Sequence, residues 1–448
     1  MGAEGAKPEI EKKRRDGRAL AIVGALVMLA FSGLLSVSSK NAMGDFKVVY
    51  YSARTLLQHG NPYSEQDVLR VYRAEGRESI GEIADNRAVM TRFIYFPSTL
   101  VVSVPIAALG YAAGHLLWGV LVAVSMLLGA WAVWDLSRDA APLLAGALLG
   151  LLLSGSFWVL LLGNSAAIGV GLCVFSMWCF LRERYAVAGV VCMTISLMLK
   201  PHDAGPVWLF LLSASPGLRR RAWQVLASSA AIGLPCLLYV QVNFPHWSES
   251  VRNNLEFFSR TGGIADAGPM GYVGRVMDPM VQLQVAVRLF IANARVADLV
   301  VYSVCGVLLV VWIAALRRTR NSVDAQYIAL AAIIPLALLP LYHFQHDAKL
   351  LMLTIPACAV LARDKFLAKS AIALTTLTIA LNTDILTFVQ VGLLHSHATS
   401  GGGMNVASLL LSRAGTLALL LLTLFLLAAT FLYVRREGSL GAEAATTR

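Results

Sequence analysis

The chain has 448 residues, of which 57% are hydrophobic and 14% are charged, with a mean hydropathy of +0.67. Soluble domains usually carry about 25% charged residues, so this composition excludes an ordinary soluble domain. Apolar segments of about 20 residues, each long enough to cross a bilayer as a helix, recur along the whole sequence. Basic loops on the cytoplasmic side of a membrane explain the net charge of +11 better than a nucleic-acid partner does. We predict an all-α polytopic integral membrane protein.

The first apolar span, residues 19–39, follows the basic stretch "KKRRDGR". A secretory signal peptide has a similar pattern, but no convincing small-residue cleavage site follows the span, so we interpret it as a membrane anchor. We divide the chain into a basic cytoplasmic N-terminus (1–18), a membrane domain (19–434) and a cytoplasmic tail (435–448).

An amphipathic helix is predicted in the first loop, about 40–92, which we place outside the membrane. Apolar residues from Phe46 to Leu57 recur at helical spacing, and "HGNP" ends the pattern. We expect this helix to lie on the membrane surface with Asp45 in its first turn. A second short helix should begin at Ser64, because Asp67 completes a pattern similar to a capping box. Spacing alone leaves open whether Asp45 caps the helix or takes part in catalysis.

Clusters of Lys and Arg define the predicted topology, because such clusters favour the cytoplasmic side. They are "KKRR" (12–15), Arg138, "RER" (182–184), "RRR" (219–221), "RRTR" (317–320), "ARDK" (362–365) and "RR" (435–436). The chain must cross the membrane an even number of times between neighbouring clusters. Hairpins satisfy this at about 140–163/165–181, 185–199/204–214, 324–341/347–363 and 368–390/405–434. The total is about twelve crossings, with both termini in the cytoplasm.

The segment 93–134 could form two spans, but two crossings would move Arg138 to the outer side. We therefore expect residues 93–110, which contain two prolines, to lie at or dip into the outer face, and 113–134 to cross. The second long outer loop, about 244–295, should hold another surface helix in "MVQLQVAVRLFIANA" (280–294).

This topology collects unusual polar residues on the outer side. Lys200 and His202 lie at the tip of a short hairpin, and a lysine at membrane depth usually pairs or lines a pathway, although snorkelling to the interface is the alternative. His343, His346 and Asp347 follow in "LPLYHFQHDAKLL". Two histidines near an acid can bind zinc, but no third ligand is specified. Ordinary turn polarity remains the alternative for this stretch, and we expect no metal and no other cofactor.

An outer cavity with an acid and several cations suits one reaction well. Lysine and histidine would hold the phosphate of a lipid-linked donor, while a carboxylate would take a proton from an acceptor hydroxyl.

Five stretches in this order carry a resemblance between residues 40 and 365. They are "GDFKVVYYSARTLLQHGNPY", "FIYFPSTLVVSVP", "LLLGNSAAIGVGL", "AGVVCMTISLMLKP" and "LPLYHFQHDAKLLML". The sequence resembles glycosyltransferase family 87 of the GT-C fold class, whose members include polyprenol-phosphate-mannose-dependent mannosyltransferases. The resemblance implies that Asp45 is the catalytic base and that Lys200 and His346 bind the donor phosphate.

Three positions depart from the family pattern. Gly163-Asn164 replaces Gly-Gln, Tyr95-Phe96-Pro97 replaces Tyr-Pro-Pro, and Asp347 follows His346 where a second histidine is common. These departures concern the donor and the acceptor more than the reaction type. Further cavity candidates are Arg92, Tyr95, Asn164, His202, His343 and Asp347.

The expected function is transfer of a hexose, such as mannose, from a polyprenyl phosphate to a lipid or glycan acceptor at the outer face of the plasma membrane. Two alternatives remain open at this point. One is a polysaccharide polymerase or ligase that uses a lipid-diphosphate donor and depends mainly on the 244–295 loop. The other is a secondary transporter, for which inverted repeats and charges in mid-membrane would be typical.

Cysteine labelling in intact cells tests the predicted topology. We expect residues 40–92, 200–203 and 342–347 outside, and 135–139, 182–184 and 317–320 inside. A cysteine introduced at position 138 should not react with a membrane-impermeant reagent, because the basic loop that contains it faces the cytoplasm. Labelling at position 138 would contradict the topology, and a cysteine in the 40–92 loop is the positive control.

Overall fold

The computed structural model describes residues 6–39, 42–75, 89–268, 280–319, 322–386, 389 and 413–446. These residues form helices joined by turns, and their one extended pairing is an isolated antiparallel bridge between Met280 and Phe344. The helices are α1 (Ala6–Ser38), α2 (Gly44–Leu57), α3 (Glu65–Ala74), α4 (Ser98–Ala108), α5 (Tyr111–Ser137), α6 (Pro142–Ser154), α7 (Phe157–Leu162), α8 (Ser165–Leu181), α9 (Ala186–Leu199), α10 (Pro201–Ser213), α11 (Pro216–Asn243), α12 (Trp247–Ser259), α13 (Gln284–Val287), α14 (Ala294–Arg318), α15 (Val323–Leu338), a 3₁₀ helix (Asp347–Thr354), α16 (Ile355–Leu361), α17 (Ala368–Leu381) and α18 (Ala414–Thr446).

The described residues form an all-α structure, and the length and apolar composition of its helices are typical of a membrane-embedded protein. Within the described residues, five helices are long and apolar enough to cross a bilayer, namely Pro8–Val37, Tyr111–Ser137, Pro216–Asn243, Ala294–Arg318 and Ala414–Arg436. Shorter apolar helices pack among them, including α6, α8, α9, α15 and α17. Helix α4 has 11 residues, or about 16 Å at 1.5 Å per residue, and so is too short to span a core of about 30 Å. The expectation that residues 93–110 lie at or dip into the outer face stays a prediction, because α9 and α10, which the predicted topology counts as crossings, have only 14 and 13 residues.

Basic residues from distant parts of the chain meet at one end of the bundle. Arg14 forms an ion pair with Asp139 at 2.7 Å. Arg363 donates to the backbone carbonyls of Asp139 and Ala140, and Arg436 pairs with Asp364 at 2.8 Å. Four of the predicted cytoplasmic clusters therefore share one end, as the topology requires.

Helices α5 and α8 run from this basic end of the bundle to an opposite end that carries polar residues. Both finish near Asp135, whose carboxylate pairs with Arg182 at 3.0 Å. At their other ends, Tyr111 packs on Phe46 and Ser165 follows Asn164. The 27 residues of α5 place the two ends about 40 Å apart.

The apolar stripe of α2 packs against protein, which corrects the prediction of a helix on the membrane surface. Phe46 and Tyr50 are each 1% exposed. Phe46 contacts Trp118 with ring centroids 5.5 Å apart, and Tyr50 meets Tyr111 edge-on at 5.2 Å. Short aliphatic and aromatic side chains suit a lipid interface or a protein wall equally well, so the stripe alone could not choose between them. The predicted cap of the next helix is confirmed, since Ser64 Oγ accepts from the backbone N–H of Asp67 at 3.3 Å.

Two other predicted helices differ from expectation. The 280–294 segment has only the four-residue helix α13, while the loop's amphipathic helix is α12, earlier in the chain. The predicted span 140–163 is divided into α6 and α7 by a break at Gly155. The carbonyl of Gly155 accepts from the ammonium of Lys349 at 3.1 Å and from the backbone N–H of Asp384 at 2.9 Å. A buried ion pair between Lys349 and Asp384 at 2.9 Å thus compensates for the interrupted helix.

The predicted span 347–363 begins as a 3₁₀ helix and becomes α-helical only at Ile355. Parts of three predicted segments, at 76–88, 269–279 and 390–412, lie outside the described residues. All six cysteines are free, and Cys173, Cys179, Cys305 and Cys358 are buried.

Glycines let α1 and α6 approach at backbone distance. A Cβ atom on Gly146 would lie 2.0 Å from the carbonyl oxygen of Gly17, and one on Gly24 would lie 2.4 Å from the carbonyl of Gly150. Small residues at such contacts are typical of helices that pack inside a membrane.

A Gly146→Leu substitution should therefore separate the two helices. We expect a loss of about 1–3 kcal/mol in the free energy of unfolding, the usual cost of overpacking. Gly306→Leu is the matched control, because a Cβ there meets nothing within 4 Å. Thermal unfolding in detergent measures both, and equal midpoints for the two variants would contradict the close contact.

Candidate functional site

A cavity of about 710 Å³ opens at the polar end of the bundle. Eight of the nine residues predicted from sequence line it: Asp45, Arg92, Tyr95, Asn164, Lys200, His202, His346 and Asp347. They come from α2, from the segment before α4, from the α7–α8 turn, from the α9–α10 tip and from the turn before the 3₁₀ helix. The structure therefore brings together residues that the sequence only assigned to the same side.

Asn164 connects the predicted base to the late turn. Its side-chain oxygen accepts from the backbone N–H of Ala166 at 2.8 Å and caps α8, so its amide NH₂ must face the other way. That NH₂ donates to Asp45 Oδ2 at 2.6 Å and lies 3.2 Å from Nε2 of His346. Asn164 thus holds a carboxylate and an imidazole at fixed positions on the cavity wall.

Local backbone geometry explains why Asn164 stands there. Gly163 ends α7 with φ +62°, a left-handed conformation that glycine adopts without strain. Its carbonyl accepts from the indole N–H of Trp118 at 2.7 Å, and the backbone N–H of Met43 donates to Leu161 at 2.7 Å. These bonds fasten the start of α2, and therefore Asp45, to the turn that carries Asn164.

Lys200 and Asp347 form a buried ion pair on the opposite side of His346. Lys200 Nζ lies 2.6 Å from Asp347 Oδ1, and the two side chains are only 5% and 2% exposed. The second oxygen, Oδ2, accepts from the backbone N–H of Phe344 at 2.9 Å. Burial opposes the charge on the lysine, but the carboxylates of Asp347 and Asp203 outweigh it and raise the pKa of Lys200. Lys200 therefore keeps its ammonium at the cavity wall, where the Asp347 carboxylate balances its charge.

Arg92 and Tyr95 belong to an extended segment held by neighbouring loops. Arg92 pairs with Glu65 at 2.5 Å and lies over the ring of Phe257 at 3.7 Å. The hydroxyl of Tyr63 donates to the carbonyl of Tyr95 at 3.2 Å. The guanidinium thus adds a second cation to the cavity, on the wall that the first loop supplies.

His343 does not line the cavity, which corrects its place among the cavity candidates. It is fully buried behind His202, with the two ring centroids 5.0 Å apart. Its neighbour is Asp203, also fully buried, whose Oδ1 lies 3.3 Å from Nε2 of His343. The sequence could not distinguish the two faces of a tight turn.

An apolar wall of the cavity was missed from the sequence. Trp247, Val251, Leu255 and Phe258, all on α12, line it together with Phe344. Their spacing of four, four and three residues is the helical signal that could have found them. These side chains give the cavity an apolar part beside its charged residues.

Comparisons with protein-family models, with curated proteins and with solved structures find no match to this chain. The fold and site define a membrane-embedded helical protein with a cavity at one end that is lined by apolar and by charged side chains.

The buried pair predicts a specific pattern of stability. Asp347→Leu alone should cost about 3–5 kcal/mol, since it leaves the Lys200 ammonium buried without its partner. The double variant Lys200→Met/Asp347→Leu should recover most of that loss, because neither charge of the pair is then left buried without its partner. Thermal unfolding in nanodiscs measures the stability of the wild type, the single variant and the double variant, which together form the mutant cycle.

Glu256→Gln is the control for this cycle, because the Glu256 side chain is 71% exposed and 4.0 Å from Arg252. An exposed pair contributes about 0–1 kcal/mol. A double variant as unstable as the single one would show that the pair does not act as a unit.

Proposed function

We propose that this protein is a glycosyltransferase with a GT-C-like fold and about twelve membrane crossings. It transfers a sugar, mannose or another hexose, from a polyprenyl-phosphate donor to a lipid or glycan acceptor. The active site faces the outside of the plasma membrane, and both termini are cytoplasmic. The resemblance to glycosyltransferase family 87 supports the proposal.

One observation carries the proposal: a carboxylate and a buried cation line a single cavity in an apolar helical bundle. Asp45 and Lys200 come from distant parts of the chain and are linked through Asn164, His346 and Asp347. Proton removal needs the carboxylate, and departure of a phosphate needs the cation. Their common cavity supplies both groups for one displacement.

The displacement assigns a role to each charged group. Asp45 accepts the proton of the acceptor hydroxyl. At the same time, the oxygen of that hydroxyl attacks the anomeric carbon of the sugar. The bond from that carbon to the phosphate oxygen breaks, and the lipid phosphate leaves with the electron pair. Lys200 and His346 stabilise the negative charge on the departing phosphate, and attack from the opposite face inverts the anomeric centre.

The apolar wall supports a lipid-linked donor over a soluble one. Trp247, Val251 and Leu255 of α12 line the same cavity as Lys200 and His346. An isoprenoid chain fits the apolar side because its burial is favourable, by about 25 cal/mol per Å². The phosphate then lies at the boundary between the apolar and charged walls.

The distribution of basic residues supports the assignment of sides. Arg14, Arg138, Arg363 and Arg436 gather at the end of the bundle away from the cavity. Arginine-rich ends face the cytoplasm, so the cavity opens on the outer side, where lipid-linked monophosphate sugars serve as donors in the family it resembles.

Asp45→Asn tests the catalytic base. The amide keeps the size of the side chain but cannot accept a proton, so turnover should fall by about 10²–10⁴-fold with donor binding retained. Glu249→Gln is the matched control, since Glu249 also lies in the first turn of a helix but is 57% exposed. Sugar transfer from synthetic polyprenyl-phosphate mannose is measured in nanodiscs.

Two outcomes would contradict the proposal in different ways. An Asp45→Asn protein that retains more than about a tenth of the normal rate would exclude Asp45 as the base. A wild-type protein that neither binds nor consumes any polyprenyl-phosphate hexose would reject the function as a whole.

Lys200→Ala should weaken donor binding more than acceptor binding.

A further inference from the structure

Three potential metal ligands converge behind the cavity. Oδ1 of Asp203 lies 3.3 Å from Nε2 of His343 and 4.0 Å from Nε2 of His202. One ligand atom from each residue can be chosen so that all lie within 4.8 Å of one another. His202 and Asp203 belong to the first turn of α10, and His343 approaches from the turn after α15.

The backbone determines which nitrogen of His343 carries hydrogen. Its Nδ1 lies 3.0 Å from the carbonyl oxygen of Leu341, and a carbonyl can only accept, so Nδ1 is protonated. In the neutral imidazole, Nε2 then presents a lone pair toward the Asp203 carboxylate. In metal-ligating histidines, one ring nitrogen commonly donates its hydrogen to a backbone carbonyl or carboxylate while the other ring nitrogen binds the metal.

A lone pair and a carboxylate at 3.3 Å repel each other unless a positive charge lies between them. A shared proton is one such charge, but the contact between His343 and Asp203 lacks the alignment of a hydrogen bond. Within the described residues, both oxygens of Asp203 and Nε2 of His343 have no hydrogen-bond partner. Leaving three such atoms buried is unfavourable, because each has lost its hydrogen bonds to water without a replacement. A cation bound by Asp203 and His343, together with His202, gives these atoms a partner and removes this cost.

We propose that His202, Asp203 and His343 bind a divalent zinc ion. Zn–N and Zn–O distances of about 2.0–2.2 Å in a tetrahedron place ligand atoms about 3.3–3.5 Å apart. The His343–Asp203 distance already has this value, and the His202–Asp203 distance exceeds it by less than 1 Å. Two imidazoles and a carboxylate with one remaining position are a common zinc donor set.

The remaining position faces the cavity. The His202 side chain is 31% exposed and lines the cavity, whereas Asp203 and His343 are fully buried. Water or an anionic oxygen from a ligand in the cavity, beside Lys200, is the fourth ligand. The assignment revises the expectation from sequence that the protein uses no metal, and it does not depend on the transferase reaction.

Metal content tests the proposal without an activity assay. The full-length protein, purified with a histidine-free affinity tag, is incubated with Zn²⁺, desalted and analysed by mass spectrometry for bound metal. We expect about one zinc per chain for the wild type and below about 0.2 for Asp203→Asn and for His343→Gln. Replacement of zinc by Co²⁺ should give the intense visible absorption of a tetrahedral site.

His246→Gln is the matched control, because the His246 side chain is 86% exposed; it should keep the wild-type zinc content. His202→Gln tests the cavity side of the cluster and leaves the two buried residues unchanged. Wild-type protein with below about 0.1 metal per chain and no cobalt absorption would overturn the site. So would an unchanged zinc content in folded Asp203→Asn or His202→Gln protein.

Discussion

The ion pair between Lys200 and Asp347 is the constraint on which the polar end of this protein depends. Both side chains are almost fully buried, and neither charge is tolerable there alone, because several kcal/mol are needed to remove an ion from water. The pair connects the tip of the α9–α10 hairpin to the turn before the 3₁₀ helix. Since Phe344 donates its backbone N–H to the same carboxylate, the pair also fixes the shape of that turn.

The turn distributes its two histidines to opposite sides. His346 faces Asn164 and the cavity, while His343 faces Asp203 behind it. A single ion pair thus positions two groups of residues with different chemistry: a chain from Asp45 to Asp347 on the cavity wall, and a buried cluster of carboxylate and imidazole. The proposed base and the proposed zinc ligands share this anchor.

Local patterns predicted much of the secondary structure. The helix from Gly44 to Leu57, its end at the "HGNP" stretch and the cap at Ser64 follow from spacing and turn chemistry, which act over a few residues. The short hairpin around Lys200 and the non-spanning segment at 93–110 were predicted from the clusters of basic residues, which favour the cytoplasmic side. The interruption at Gly155 was not predicted, because the carbonyl freed by the break is satisfied by Lys349 and Asp384, almost 200 and 230 residues away in the chain.

The sequence by itself determined that this is a helical membrane-embedded protein and which polar residues gather at one end. The length of the apolar segments, the clusters of basic residues and the helical spacing of apolar residues can each be read from short stretches of sequence. Only the tertiary structure decided what those residues contact. It buried the stripe of Phe46 and Tyr50 in protein, where the sequence favoured lipid, since both surroundings accept apolar side chains. It separated His343 from His346, because the direction of a side chain in a turn depends on backbone bonds made by other segments. It also placed Asp203 against His343, a contact that joins two elements with no common periodicity.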